Sequence, residues 1–165
     1  MAHQHNDNLA GEHRTSDIGQ LILFCLFIAL WISDIFLKFS SVLNQYVPLG
    51  VKLPISILLL ILAGYLAIKS HSVVFGKQSQ SQGVIRKGVF RFVRHPMYFS
   101  EIILYLGLLF LHVSLAAFII WVIAIFFLYY ISRYEEKLLL AKFGEEYEQY
   151  MREVPMWLPR LYRKK

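Results

Sequence analysis

The stretch from Tyr98 to Ile131 is almost uninterrupted apolar sequence, and its length restricts the folds open to the chain. As a single helix, its roughly 34 residues would extend about 50 Å at 1.5 Å per residue, well beyond a bilayer core of about 30 Å. A hairpin meets that limit. The predicted bend is Leu111 to Ser114, where His112 and Ser114 interrupt the run, although neither Pro nor Gly enforces a turn there. Each arm then has about 17 residues, at the short end of the spanning range, which implies thinning of the bilayer or snorkelling at the ends. The same reversal brings together what flanks the run. Arg94-His95-Pro96-Met97-Tyr98 stands at its near end and Glu135-Glu136 just past its far end. A guanidinium, an imidazole, a phenol and two carboxylates then meet at one membrane face, where such groups are costly to place without a use.

The remaining sequence fits a bilayer protein. A hydrophobic content of 57% and a mean hydropathy of +0.50 take the chain out of the soluble class. The expected fold class is all-α: a multi-pass integral membrane protein with about four transmembrane helices, a C-terminal helical hairpin and an amphipathic tail. Residues 1–17 read as a polar N-terminal arm. Residues 18–75 supply two transmembrane helices, Ile18 to Phe39 and a second one continuing through Ile55 to Ile68. Pro48 and Gly50 mark the turn between them, with Pro54 in the first turn of the second helix. Residues 76–165 supply a Ser/Gln/Gly-rich loop leading into the cofactor-binding motif, then the hairpin, then C-terminal cytosolic helices. Gly144 is expected to stop the long helix before an amphipathic piece from Glu145 to Val154, with Tyr147, Tyr150, Met151 and Val154 on its apolar face. Pro155 and Pro159 bracket Met156-Trp157-Leu158 as an extended segment against the interface or over the site.

The net charge of +6 comes from Lys and Arg clustered beside apolar segments, with no nucleic-acid-binding motif, so anionic lipid headgroups are the expected counter-charge and no nucleic acid is a partner. Lys69, Lys77, Arg86, Lys87, Arg91 and Arg94 crowd the second connection, whereas the hairpin turn has neither Lys nor Arg. The positive-inside rule therefore puts both motif clusters toward the cytoplasm. Cys25 is the single cysteine, which excludes an intrachain disulfide, a zinc knuckle and a Cys-x-x-Cys pair. His3, His5 and His13 are irregularly spaced, and no metal site is assigned. Gly-x-Gly-x-x-Gly and phosphate-loop patterns are absent, which excludes the ordinary dinucleotide and nucleotide folds.

What remains is Gly88-Val89-Phe90-Arg91-Phe92-Val93-Arg94-His95-Pro96-Met97-Tyr98, then Arg133-Tyr134-Glu135-Glu136, then Phe143-Gly144-Glu145-Glu146-Tyr147 and Val154-Pro155-Met156-Trp157-Leu158-Pro159. In this order, the motifs resemble the isoprenylcysteine carboxyl methyltransferase and phospholipid methyltransferase superfamily from about Gly83 to Arg160. The resemblance implies a multi-pass enzyme that uses S-adenosylmethionine and takes a lipidic or prenylated acceptor from the bilayer, either an isoprenylcysteine carboxylate or a phospholipid amine. This chain has Ser100 where the family usually has Gly, and Val89-Phe90 where it usually has Pro-Tyr.

The residue types suit that chemistry. Arg94 and His95 are candidates for the methionine carboxylate of the cofactor, and Glu135 or Glu136 for its ribose hydroxyls or the neighbourhood of its sulfonium. Tyr98 offers a hydroxyl or a cation-π face. Pro96 has no amide hydrogen and biases His95 away from helical geometry, which makes His95 a bent loop residue. Glu101, one helical turn beyond Met97, points to the cavity or pairs with Arg94 or Lys87. His95 and Glu101 are the candidate bases for an acceptor that must lose a proton. Plainer roles stand beside these: snorkelling for Arg91 and Arg94, an ordinary ion pair of Glu136 with Arg133, and an i,i+4 pair of Asp34 with Lys38. Two further functions fit the same sequence: a nicotinamide-dependent membrane reductase of the related sterol-reductase fold, and a noncatalytic membrane interaction protein.

Overall fold

The computed structural model describes residues 14–74 and 83–159. The His3, His5 and His13 positions, most of the Ser/Gln-rich loop with Lys77, and the basic end of the tail lie outside the described residues. Among the described residues the fold has five α-helices: α1 (Arg14–Leu37), α2 (Leu49–Val74), α3 (Pro96–Leu111), α4 (Leu115–Phe143) and α5 (Glu145–Glu153), with 3-10 turns at Val42–Gln45 and Gly88–Arg91. No strand occurs among the described residues. The segments Asp17–Leu37, Leu49–Val74 and Leu115–Phe143 are each long and apolar enough to cross a membrane, and α3 is a shorter apolar helix beside them.

The long apolar run does reverse, between Leu111 and Leu115. Its arms are unequal. With 16 residues, α3 spans about 24 Å, less than a bilayer core, whereas α4 with 29 residues reaches about 43 Å and carries Arg133 to Phe143 past the apolar zone. The short arm is tolerated because α3 is the inner helix, packed on both α2 and α4, while α1 packs on α4. Gly107 lets α2 come close: a Cβ there would sit 3.0 Å from Leu60 Cδ2. Beside it, Ser56 Oγ donates to the Gly107 carbonyl at 2.7 Å, which satisfies a buried hydroxyl between the two helices.

Without Gly or Pro, the bend is held by side-chain hydrogen bonds. Ser114 caps α4 by accepting from Ala117 N at 3.3 Å. Its hydroxyl also lies 3.1 Å from Ser40 Oγ, and Ser40 accepts from Leu115 N and Ala116 N, each at 3.1 Å. The two turns at this end of the bundle are thereby stapled together. Asp34 belongs to the staple and does not form the expected side-chain pair with Lys38. Its buried carboxylate accepts from Ser40 N at 2.6 Å and lies 3.4 Å from His112 Nε2. Lys52 is buried on α2 and donates to Asn44 O and Oδ1 at 2.9 and 2.8 Å. The second helix starts at Leu49, so Gly50 is helical and Pro54 falls in the second turn instead of the first. Likewise, α1 begins at Arg14, ahead of Ile18.

Candidate active site

The hairpin delivers the two motif clusters to one end of the bundle. Pro96 opens α3 at its first position, where a missing N–H costs nothing, and His95 stands before it in the non-helical N-cap conformation expected of a residue preceding proline. On the other side, α4 presents Glu135 and Glu136 before ending at Gly144, whose φ of +55° turns the chain directly into α5. The amphipathic face of α5 then buries Tyr147, Tyr150 and Val154 against Val84, Leu139, Phe143 and Met151. The Pro-bracketed segment follows. Its Pro155 and Met156 carbonyls accept from Arg94 N and His95 N at 2.9 and 3.1 Å, so it straps the motif loop in place. Trp157 turns its ring edge-on to Tyr129, at 6.1 Å, and does not reach the cavity.

Arg94 is enclosed by these elements. Its Nε donates to Glu136 Oε1 at 2.8 Å, Nη2 lies 2.6 Å from the same oxygen, and Nη1 donates to Met151 O at 2.9 Å and to Val154 O. Every guanidinium nitrogen is thus engaged, with the Arg94 and Glu136 side chains only 8% and 2% exposed. Arg133 adds a 3.0 Å contact to Glu136 Oε2, the ordinary i,i+3 pair that sequence spacing allowed, from a half-exposed position. His95 lies between the two carboxylates: Nδ1 is 3.4 Å from Glu135 Oε2 and Nε2 is 3.4 Å from Glu136 Oε1. The Tyr98 hydroxyl donates to Glu135, and its ring stacks on His95 at 5.7 Å.

These contacts set the charge on His95. Burial pushes its imidazole toward neutrality, but the hydrogen bonds and attraction of Glu135 and Glu136 outweigh that, and the net shift is above the ordinary histidine value of 6.5. Burial also raises the Tyr147 and Tyr150 phenols, which therefore stay protonated; Tyr150 donates to Phe90 O at 2.7 Å.

A cavity of about 1180 Å³ opens beside the cluster. Arg94, His95, Pro96, Tyr98, Ser100, Glu101 and Glu135 all line it, as do Ala63, Gly64 and Ala67 of α2 and Asp17 and Gln20 of α1. Glu136 does not; it lies behind Arg94 and His95. The two adjacent carboxylates therefore have different surroundings, one facing the cavity and one locked into an ion-pair network. Glu101 faces the cavity from α3, and its hydrogen-bond partner is Tyr105 at 2.8 Å in place of Arg94 or Lys87. Ser100 donates to Met97 O at 2.6 Å within its own helix. Arg91 is exposed and outside the cavity lining, consistent with a snorkelling role.

Sequence reasoning missed Tyr105, Lys142 and the backbone carbonyls that receive Arg94. Tyr105 was within reach, since it follows Glu101 at i,i+4 spacing. Lys142 and the carbonyls carried no signal, because backbone acceptors have no residue code.

The model of the phospholipid methyltransferase family matches residues 45–146, more than half of the chain, and takes in both motif clusters and the hairpin between them. The chain belongs to the phospholipid methyltransferase family. No curated protein and no solved structure matches it. Membership of the phospholipid methyltransferase family makes the chain a membrane methyltransferase, and the long apolar helices agree with an integral membrane location. The match ends within α5, so α1 and the strap that holds Arg94 both lie outside it.

Proposed function

We propose that the protein transfers a methyl group from S-adenosylmethionine to the amine of a phospholipid, in the cavity between the hairpin and α2. One observation carries the reading: His95, Tyr98, Glu101 and Glu135 line a single cavity, beside Asp17, Gln20, His71, Arg94 and Lys142 and against apolar faces of α2 and α3. S-adenosylmethionine combines a carboxylate, cationic centres, ribose hydroxyls and a flat base, and the donor set suits each. Glu135 is the acceptor for ribose hydroxyls or the cofactor's ammonium. His95 and Lys142 are the cationic counterparts of its carboxylate, while Phe90, Phe143, Tyr147 and Tyr150 offer aromatic faces to the base and sulfonium. Arg94 lines the same cavity, Glu136 supports it from behind, and Pro96 holds His95 in its bent conformation.

When bound, the cofactor supplies an already activated methyl group, so the protein's part is to align the acceptor, exclude water and manage one proton. An ammonium must lose that proton before its nitrogen is nucleophilic. Glu101 faces the cavity with the Tyr105 hydroxyl as its hydrogen-bond partner and is the base within reach of an acceptor there. A carboxylate acceptor would instead meet the like charges of Glu101 and Glu135, which is why the amine is preferred over an isoprenylcysteine carboxylate. Lys69, Arg86, Lys87 and Arg91 near this end attract anionic headgroups and support a cytoplasmic orientation.

Calorimetry on detergent-purified protein tests the reading, with S-adenosylmethionine and reduced nicotinamide dinucleotide phosphate as the two titrants. Binding of the first is expected, weakened by about ten-fold in Glu135→Gln through loss of a charge-assisted hydrogen bond. Binding of the nicotinamide cofactor alone would assign the chain to reductase chemistry instead.

A further inference from the structure

The contact that fixes Glu101 leads away from the cavity. Tyr105 Oη donates to Glu101 Oε1 at 2.8 Å from one turn further along α3, yet Tyr105 does not line the cavity and is fully buried. Its ring is clamped by α1: Phe27 stacks on it at 4.5 Å with planes 9° apart, and Phe24 lies at 6.1 Å and 21°. Phe27 is itself completely buried in the cluster that includes Tyr105, Leu109, Ala117 and Ala124. A ring held this way cannot swing, so its hydroxyl has one fixed direction and Glu101 is its acceptor. Glu101, by contrast, is partly exposed to the cavity, and among the described residues its side-chain hydrogen bond is the one from Tyr105.

We infer that Tyr105 is a positioning residue for methyl transfer: clamped by Phe27 of α1, its hydroxyl holds the Glu101 carboxylate in place on the acceptor side of the cavity. The inference rests on the proposed role of Glu101 as the acceptor's base. It also gives α1 a part in the reaction. That helix lies outside the residues shared with the family, and it acts on the acceptor end of the site through the stack on Tyr105. Acceptor handling can thus be altered in α1 without touching the residues around His95.

A double-mutant cycle separates this from a packing role. Tyr105→Phe keeps the ring and removes only the hydroxyl, and Glu101→Gln keeps the shape and removes the charge. Methyl transfer to phosphatidylethanolamine in mixed micelles is measured for the wild type, both single variants and the double variant, with S-adenosylmethionine binding followed by calorimetry. Tyr105→Phe is expected to lower kcat/KM for the lipid by about ten-fold, the scale of one hydrogen bond to a charged group. Glu101→Gln is expected to lower it further, by about 100-fold as for loss of a positioned base. The double variant should match Glu101→Gln, and cofactor binding should hold in all four proteins. Additive losses would overturn the inference, since Tyr105 would then act through packing alone. An unaffected Glu101→Gln enzyme would overturn it together with the role of Glu101, and a wild type that binds no S-adenosylmethionine would remove the proposed function beneath both. A second readout needs no turnover: the carboxylate infrared band assigned to Glu101 by difference from Glu101→Gln should move in Tyr105→Phe, and an unmoved band contradicts the hydrogen bond.

Discussion

At the scale of single residues, the site depends on unlike surroundings for like side chains. Glu136 is buried against Arg94, so removing its charge strands a guanidinium away from water; Glu136→Ala is expected to destabilise the protein by about 3–5 kcal/mol. Glu135 faces the cavity, and Glu135→Gln should fold normally while binding cofactor less well. Thermal melts in detergent distinguish the two. His95 supplies a pH signature. Its folded value is raised above 6.5, so its contribution to stability is complete below the unfolded value and is lost as pH rises through the folded one. The melting temperature should therefore fall as pH climbs from about 6.5, and His95→Asn should flatten that part of the profile. Most of this cluster was legible in the sequence, because Arg-His-Pro-x-Tyr and Glu-Glu are residue patterns. The division of labour between Glu135 and Glu136 was not, because it depends on which carboxylate the helix turns toward the cavity and on carbonyls of Met151 and Val154 far along the chain.

Among the elements, the hairpin was the expectation that mattered, and it rested on the length of the apolar run and on the placement of Lys and Arg around it. The bend was located at His112 and Ser114, but the reason it is stable lies in Ser40 and Asp34 from another turn, which no local pattern reveals. Ser114→Ala should cost about 1 kcal/mol as a lost cap, with more from the broken link to Ser40. The Asp34–Lys38 spacing misled for the same reason: a helical i,i+4 pair is worth a few tenths of a kcal/mol on a surface, and the backbone N–H of Ser40 is a better partner in the interior. The contact between α2 and α3 is tight at Gly107, where Gly107→Leu would push against Leu59 and Leu60 and should destabilise by about 1–3 kcal/mol through overpacking. Denaturation in mild detergent checks both substitutions.

For the molecule as a whole, the bundle has two polar ends of different character. One is a closed staple in which Ser40 joins Asp34 to Ser114 and Lys52 holds Asn44 across the neighbouring turn. The other is open, with a cavity that touches α1, α2, α3, α4 and α5 and collects titratable groups from α3 and α4. A rigid far end and an open near end suit an enzyme whose acceptor arrives from the bilayer and whose cofactor arrives from water. The central claim is that the hairpin assembles the open end into a lipid-methylating site. Its most direct measurement is the incorporation of methyl-labelled S-adenosylmethionine into lipids by the protein reconstituted in phosphatidylethanolamine-containing vesicles. Label recovered in methylated amine phospholipid, and reduced in Glu135→Gln and His95→Asn, is the expected result; labelled lipid that is unaffected by both substitutions, or no labelled lipid at all, would contradict it.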